Sequence, residues 1–203
     1  MERKTVFFLA LLILLLFGAS SSWAIDVTST ADSGPGSLRE AITTANSDGA
    51  PTTITFDPTA FPPTTPCAAP APGTITLLSA LPNITGPGDK IDGSGACVVI
   101  DGQGLPTSVG LRVRASNVTI KSMTIQNFVG NDGVRVEGRN GAPAVTNIII
   151  TGNTFLNNLR GVRIDGGTQM GDTVVSASVT GNVFDQNKSG ERVSYLRRTE
   201  ICG

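Results

Sequence analysis

Two strings that recur at a period of 23–29 residues, both built from β-strand and turn residues, predict an all-β solenoid. GLRVRA at 110–115 returns as GVRVEG at 133–138 and as GVRIDG at 161–166, spacings of 23 and 28 residues. NVTIKSMTIQN at 117–127 returns as NIIITGNTFLNN at 147–158 and SASVTGNVFDQN at 176–187, with Thr151 and Thr180 of Thr-Gly-Asn 29 residues apart. Composition is the third observation. The 203 residues include 24 Gly and 12 Pro, with 15% charged and 5% aromatic, which suits short Val/Ile strands punctuated by turns.

Composition also excludes. The chain has no histidine, so histidine triads, histidine general bases and histidine metal sites are ruled out. A formal charge of −1 excludes nucleic-acid binding through bulk positive charge.

In chain order, residues 1–24 read as a secretory signal. Arg3 and Lys4 precede the apolar run Val6 to Phe17, and Ser22 and Ala24 are small residues at the −3 and −1 positions of a cleavage site. Twelve helical residues span about 18 Å, short of the roughly 30 Å hydrocarbon core, so a membrane anchor is the weaker reading. The expected location is outside the cytoplasm: extracellular, cell-surface or periplasmic. No membrane span is expected in the mature chain. In such a compartment Cys67 and Cys97 are the natural disulfide candidates; Cys202 is the third cysteine, and three free thiols are the alternative.

Residues 25–52 form a capping segment. Ser37-Leu38-Arg39-Glu40 is a capping box, and Leu38, Ala41, Ile42 and Ala45 make one apolar stripe. A short helix there closes the open end of the solenoid. Residues 53–190 carry the coils. TITF (53–56), TITL (74–77), KIDG (90–93) and VVIDG (98–102) are irregular early strands, and residues 58–73, with six prolines, read as a loop. Alternation points Leu111, Val113, Val134, Val136, Val162 and Ile164 inward. Ile148, Ile150 and Phe155 are likewise inward, matched by Ala177, Val179 and Phe184. Gly152-Asn153 and Gly181-Asn182 are corner turns, and Asn153 over Asn182 makes a short amide ladder that ends at Met123.

The stretch DVTSTADSGPGSLREAITTAN (26–46), with the strands and IDG strings after it, resembles the N-terminal module of bacterial exported right-handed parallel β-helix proteins with a CSLREA-type start. These are related in fold to pectin and pectate lyases. The likeness covers roughly residues 26–190, with Gly36 standing where the name-giving cysteine would be. It implies a right-handed parallel β-helix, secreted or surface-displayed, and leaves activity undefined.

Outward positions carry the candidate chemistry. Arg112, Arg135 and Arg163 fall in one column of successive coils, with Arg192 a fourth candidate, and Glu137 and Asp165 stand in the adjacent column. One reading is a salt-bridged, solubilising face. The other is a groove for an anionic polysaccharide such as a uronate or sulfated glycan. Asn131-Asp132-Gly133 resembles part of a polygalacturonase element, but its paired aspartates and Gly-His-Gly partner are missing, so Asp132 reads as a turn residue. Glu137, Asp165 and Asp101 are the carboxylates available to a Ca²⁺ ion, fewer than its six to eight oxygens require; no cofactor is expected. The expectation is a non-catalytic secreted or surface module. Its alternatives are the front fragment of a polysaccharide lyase or hydrolase, and the stalk of an adhesin. Residues 191–203 match no repeat, and Glu191 falls on an inward position, which reads as a truncated or frame-shifted end.

Overall fold

The computed structural model describes residues 23–105, 107–138, 143–166 and 176–194, the last five by backbone alone. The signal segment up to residue 22, the tail from 195 and Cys202 lie outside the described residues, as do the side chains of Glu191 and Arg192. The described chain winds as a right-handed parallel β-helix of about five coils.

The chain enters through β1 (Trp23–Val27) and helix α1 (Leu38–Ala45). The first coil holds β2 (Thr52–Phe56) and β3 (Thr74–Thr76), the second β4 (Lys90–Asp92), β5 (Val99–Asp101) and β6 (Leu111–Val113). The third holds β7 (Thr119–Lys121), β8 (Thr124–Gln126) and β9 (Asp132–Glu137), and the fourth β10 (Ile148–Thr151), β11 (Thr154–Leu156) and β12 (Arg160–Asp165). The last described coil holds β13 (Ala177–Thr180), β14 (Val183–Asp185) and β15 (Ser189–Ser194). Equivalent strands stack in parallel into three sheets: β1-β2-β4-β7-β10-β13, β3-β5-β8-β11-β14 and β6-β9-β12-β15.

Among the described side chains the inward strand columns are apolar because each strand alternates faces; Glu191, whose side chain is not described, is in register with Val162. On the first sheet Ile25, Ile54, Ile91, Ile120, Ile150 and Val179 lie in register; on the second, Ile75, Ile100, Ile125, Phe155 and Phe184 do. The third sheet contributes Leu111, Val134 and Val162, each with no exposed surface. Burying each such side chain contributes about 1.5–3 kcal/mol before ordering costs. The glycines of the GxR string exist for the same packing. A Cβ on Gly133 would meet the Gly161 carbonyl at 2.8 Å and the Phe155 ring at 2.9 Å.

Three corners close each coil, and residues there take the left-handed conformation. Ser122, Gly152 and Gly181 hold φ of 59°, 64° and 63° at one corner, and Asn127, Asn157 and Gln186 hold 65°, 54° and 52° at the next. Asparagine tolerates that region better than other side chains. The ladder expected from Thr-Gly-Asn is present: Asn153 Nδ2 donates to Asn182 Oδ1 at 3.1 Å, and Met123 N donates to Asn153 Oδ1 at 3.3 Å. A second buried ladder accompanies it. Asn158 N donates to Asn187 Oδ1 at 2.8 Å, and Phe128 N donates to Asn158 Oδ1 at 3.0 Å.

Helix α1 packs on β1 and β2 and inserts the expected stripe, Leu38, Ala41, Ile42 and Ala45, into the core. The cap differs in one bond. Ser37 Oγ accepts from Glu40 N as a capping box requires, but Glu40 Oε2 reaches back to the N–H of Gly36 at 2.7 Å. Arg39 then ties the segment to the first coil, donating to the Ser79 and Ala80 carbonyls and to Asp32 Oδ1. β1 itself had no counterpart in the sequence reading; its residues 25–27 pair with Ile54, Thr55 and Phe56.

The proline-rich loop of residues 58–73 does not project into solvent. A disulfide joins Cys67 to Cys97, with Cα atoms 5.4 Å apart. Beyond it, Thr124 Oγ1 donates to the Cys67 carbonyl, and Ala69 N donates to Gln126 Oε1 at 3.4 Å. The loop thus lies as a strap over the outward face of β5 and β8.

Candidate functional site

The arginine column forms on the outward face of the third sheet. Parallel register places Arg112 beside Arg135, Arg135 beside Arg163, and Arg163 beside the backbone of Arg192. Neighbouring strands lie about 4.8 Å apart, so four guanidinium-bearing positions crowd into roughly 15 Å. Bare, they would repel.

Carboxylates resolve the conflict. Glu137 receives Arg112 at 2.6 Å, Arg114 at 2.7 Å and Arg135 at 3.3 Å. Burial by itself would push the Glu137 carboxyl up, but the Arg114 and Arg112 guanidiniums overcome this and hold it below its ordinary value. Asp165 pairs with Arg163. Asp132 is fully buried at the start of β9 and takes Arg135 at 2.5 Å and also Arg160. Asp132 is therefore the anchor of the arginine lattice, not the turn residue its neighbour Gly133 suggested. Arg114, Arg160 and Asp132 join the site by geometry; Asp132 and Arg160 sit one position before the repeated string, while Arg114 lies within it, in the column of Glu137 and Asp165.

The arginines are not equivalent. Arg135 is spent: Nε donates to Asp132, Nη1 to Glu137 and Nη2 to Asn131 Oδ1. Its side chain is 14% exposed, against 28% for Arg112, 25% for Arg114 and 26% for Arg163. Among the described residues Arg163 has one partner, Asp165, and its Nε is buried without an acceptor. Five guanidiniums meet three carboxylates, Asp132, Glu137 and Asp165. Among the described residues the face keeps a net positive charge, with Arg112, Arg114 and Arg163 about a quarter exposed.

Residues 75–200, from β3 onward, match the model of a family described as a protein of unknown function, DUF1565, one associated with β-helix proteins. The chain belongs to this family. No curated protein matches it. The match takes in the three coils whose described side chains form the arginine lattice, whereas α1 and the segment of residues 26–46 precede it.

The carboxylates considered for a cation do not converge. Glu137 and Asp165 lie on the third sheet and are occupied by arginine; Asp101 lies on the second sheet, 3% exposed. There Asp101 accepts from Asn127 Nδ2 at 2.9 Å and Gln126 Nε2 at 3.3 Å. Among the described residues no group of three or more Cys, Asp or Glu is placed to hold a metal ion. Gly152, Asn153, Gly181 and Asn182 serve the corner they were assigned to. One further carboxylate is set apart by burial: Asp89, 2% exposed, accepts from Thr52 N at 3.1 Å. Desolvation, with Asp48 adding repulsion, pushes it up to about 6 despite that bond.

Proposed function

We propose that this chain is an exported, non-catalytic β-helix module that binds an acidic polysaccharide along the third sheet. The observation that carries the reading is the excess of guanidinium over carboxylate on one ordered face, with Arg112, Arg114 and Arg163 the most exposed. Arg135 fixes the lattice, and the ligand is met on either side of it. Arg112 and Arg163 stand two rungs apart, about 10 Å along the solenoid axis. Carboxylate or sulfate groups along a polymer would take paired donors from each.

Export rests on the basic start, the apolar run and the small residues before Ile25. Among the described residues no helix is long and apolar enough to cross a membrane.

Affinity electrophoresis through polygalacturonate or a sulfated glycan tests the binding reading. Retardation at low salt that disappears at high salt is expected. Arg112→Ala with Arg163→Ala should weaken it about tenfold at a temperature where the variant remains folded, as thermal unfolding of the same sample verifies. Equal migration of this variant and the wild type would overturn the assignment.

A further inference from the structure

We propose that the Cys67–Cys97 disulfide is a redox latch, and that its reduction lifts the strap of residues 62–72 off the second sheet. This inference is independent of the arginine face and stands on three observations.

The first is a break in the burial pattern. On β11 the outward residues Thr154 and Leu156 are half-buried, and on β14 Val183 and Asp185 are exposed. On β5 and β8 the equivalent positions, including Asp101, Thr124 and Gln126, are all buried. The strap reaches Thr124 and Gln126 directly, and Gln126 in turn donates to Asp101. Beneath it sits a polar row that would face water on an uncovered sheet.

The second is how little besides the disulfide holds the strap's middle. Its ends are firm: Phe61 is fully buried with its ring edge-on to Phe56, and Gly73 O accepts from Val99 N. Ala71 O, next to the firm end, accepts from Thr74 N and Oγ1; between residues 62 and 70 the hydrogen bonds to the second sheet are those of the Cys67 carbonyl with Thr124 and of Ala69 N with Gln126, the latter at a long 3.4 Å. Two such bonds are a weak restraint against the conformational freedom of residues 62–70, even with four prolines among them. The covalent link is what keeps the middle in place.

The third is access. Cys67 is half-buried and lines an open cleft of about 390 Å³ with Ser94, Ser122 and Thr154. A dithiol entering that cleft can exchange with the bond. Two electrons and two protons pass from the dithiol to the Sγ atoms of Cys67 and Cys97. The protein S–S bond breaks, and the dithiol closes into its own disulfide.

Hydrogen exchange read by mass spectrometry on the full chain, with and without dithiothreitol, tests the latch. Peptides covering 62–72 should exchange at least tenfold faster when reduced, while those of β10 to β12 keep their protection. Cys67→Ser with Cys97→Ser should show the same fast strap without reductant and no further response to it. Gln126→Cys added to that double variant should react with a maleimide at least tenfold faster than Gln126→Cys alone. Unchanged strap exchange, equal maleimide rates, or loss of protection throughout the chain on reduction would each overturn the proposal; the last would make the disulfide a staple of the whole fold.

Discussion

Asn158→Ala tests whether the inner ladder is structural bonding or surface ornament. Asn158 is 1% exposed; its Oδ1 accepts Phe128 N–H at 3.0 Å and its Nδ2 donates to the Ile125 carbonyl at 3.0 Å. Alanine removes both partners at once and leaves a buried donor and a buried acceptor, each costing about 1–3 kcal/mol. The bond from Asn158 N to Asn187 survives, because it uses the backbone. The expected loss is therefore about 4 kcal/mol, or roughly 8–16 °C in Tm for a chain of this size. Asn157 is the control. It is exposed, holds φ of 54° and donates to Asn127 on the outer surface at 2.8 Å. Glycine accepts that backbone freely, so Asn157→Gly should change stability by less than about 1 kcal/mol. Urea unfolding of both variants, with exchange of the Phe128 amide as the local readout, makes the comparison. A loss below 1 kcal/mol in Asn158→Ala, or an equal loss in Asn157→Gly, would refute the reasoning.

Asp89 gives a pH signature. Its folded value of about 6 lies above the ordinary 3.8, so the fold favours the protonated form. That stability is fully present below 3.8 and is lost as pH rises to about 6, up to roughly 3 kcal/mol. Asp89→Asn should accordingly gain on the wild type at pH 7.5 and match it near pH 4 in thermal melts; a gap independent of pH would count against burial as the cause. Glu137→Gln should have the opposite profile. Its carboxyl is held low, so the stability it gives is present above the ordinary 4.5 and lost as pH falls below it. The variant should cost about 2 kcal/mol at neutral pH and little in acid, read by the same melts. Finally, N-terminal sequencing of protein recovered outside expressing cells should begin at Ile25; recovery of Met1 would remove the export reading.

The sequence was most legible where one strand repeats another. Period and alternation place Val134 over Val162 and Arg135 over Arg163 without reference to distant contacts, and the structure keeps both registers. The Asn153–Asn182 ladder followed from the same logic. Its companion at Asn158 and Asn187 was just as visible in the recurring NTFLNN and NVFDQN, but two adjacent asparagines in the first string obscured which one turns inward. Arg114 stood in the repeat, one rung before Glu137 and Asp165, and was passed over; Asp132 and the strap were illegible for another reason. Each acts across coils through a side chain or loop with no repeat of its own, and no periodicity reports where an aperiodic segment lands. Asp101 shows the cost: read as an open cation donor, it is buried and already taken by Gln103 N and by Gln126 and Asn127 of the next coil. β1 was hidden likewise, since WAIDV overlaps the expected signal.

The inner asparagines have a direction. Asn182 Oδ1 takes the N–H of Asn153, and Asn182 Nδ2 returns to the Ile150 carbonyl; Asn153 does the same to Met123 and Ile120. Both ends of each amide grip the coil made before it, and the bond from Asn153 Nδ2 forward to Asn182 Oδ1 is added only when the next coil arrives. A polypeptide emerging amino end first can therefore lock each turn onto its predecessor at the moment it arrives, starting from the surface that α1 and β1 provide. The winding order is written into the side chains, and a chain threaded through a narrow exit would wind up in the order it was synthesised.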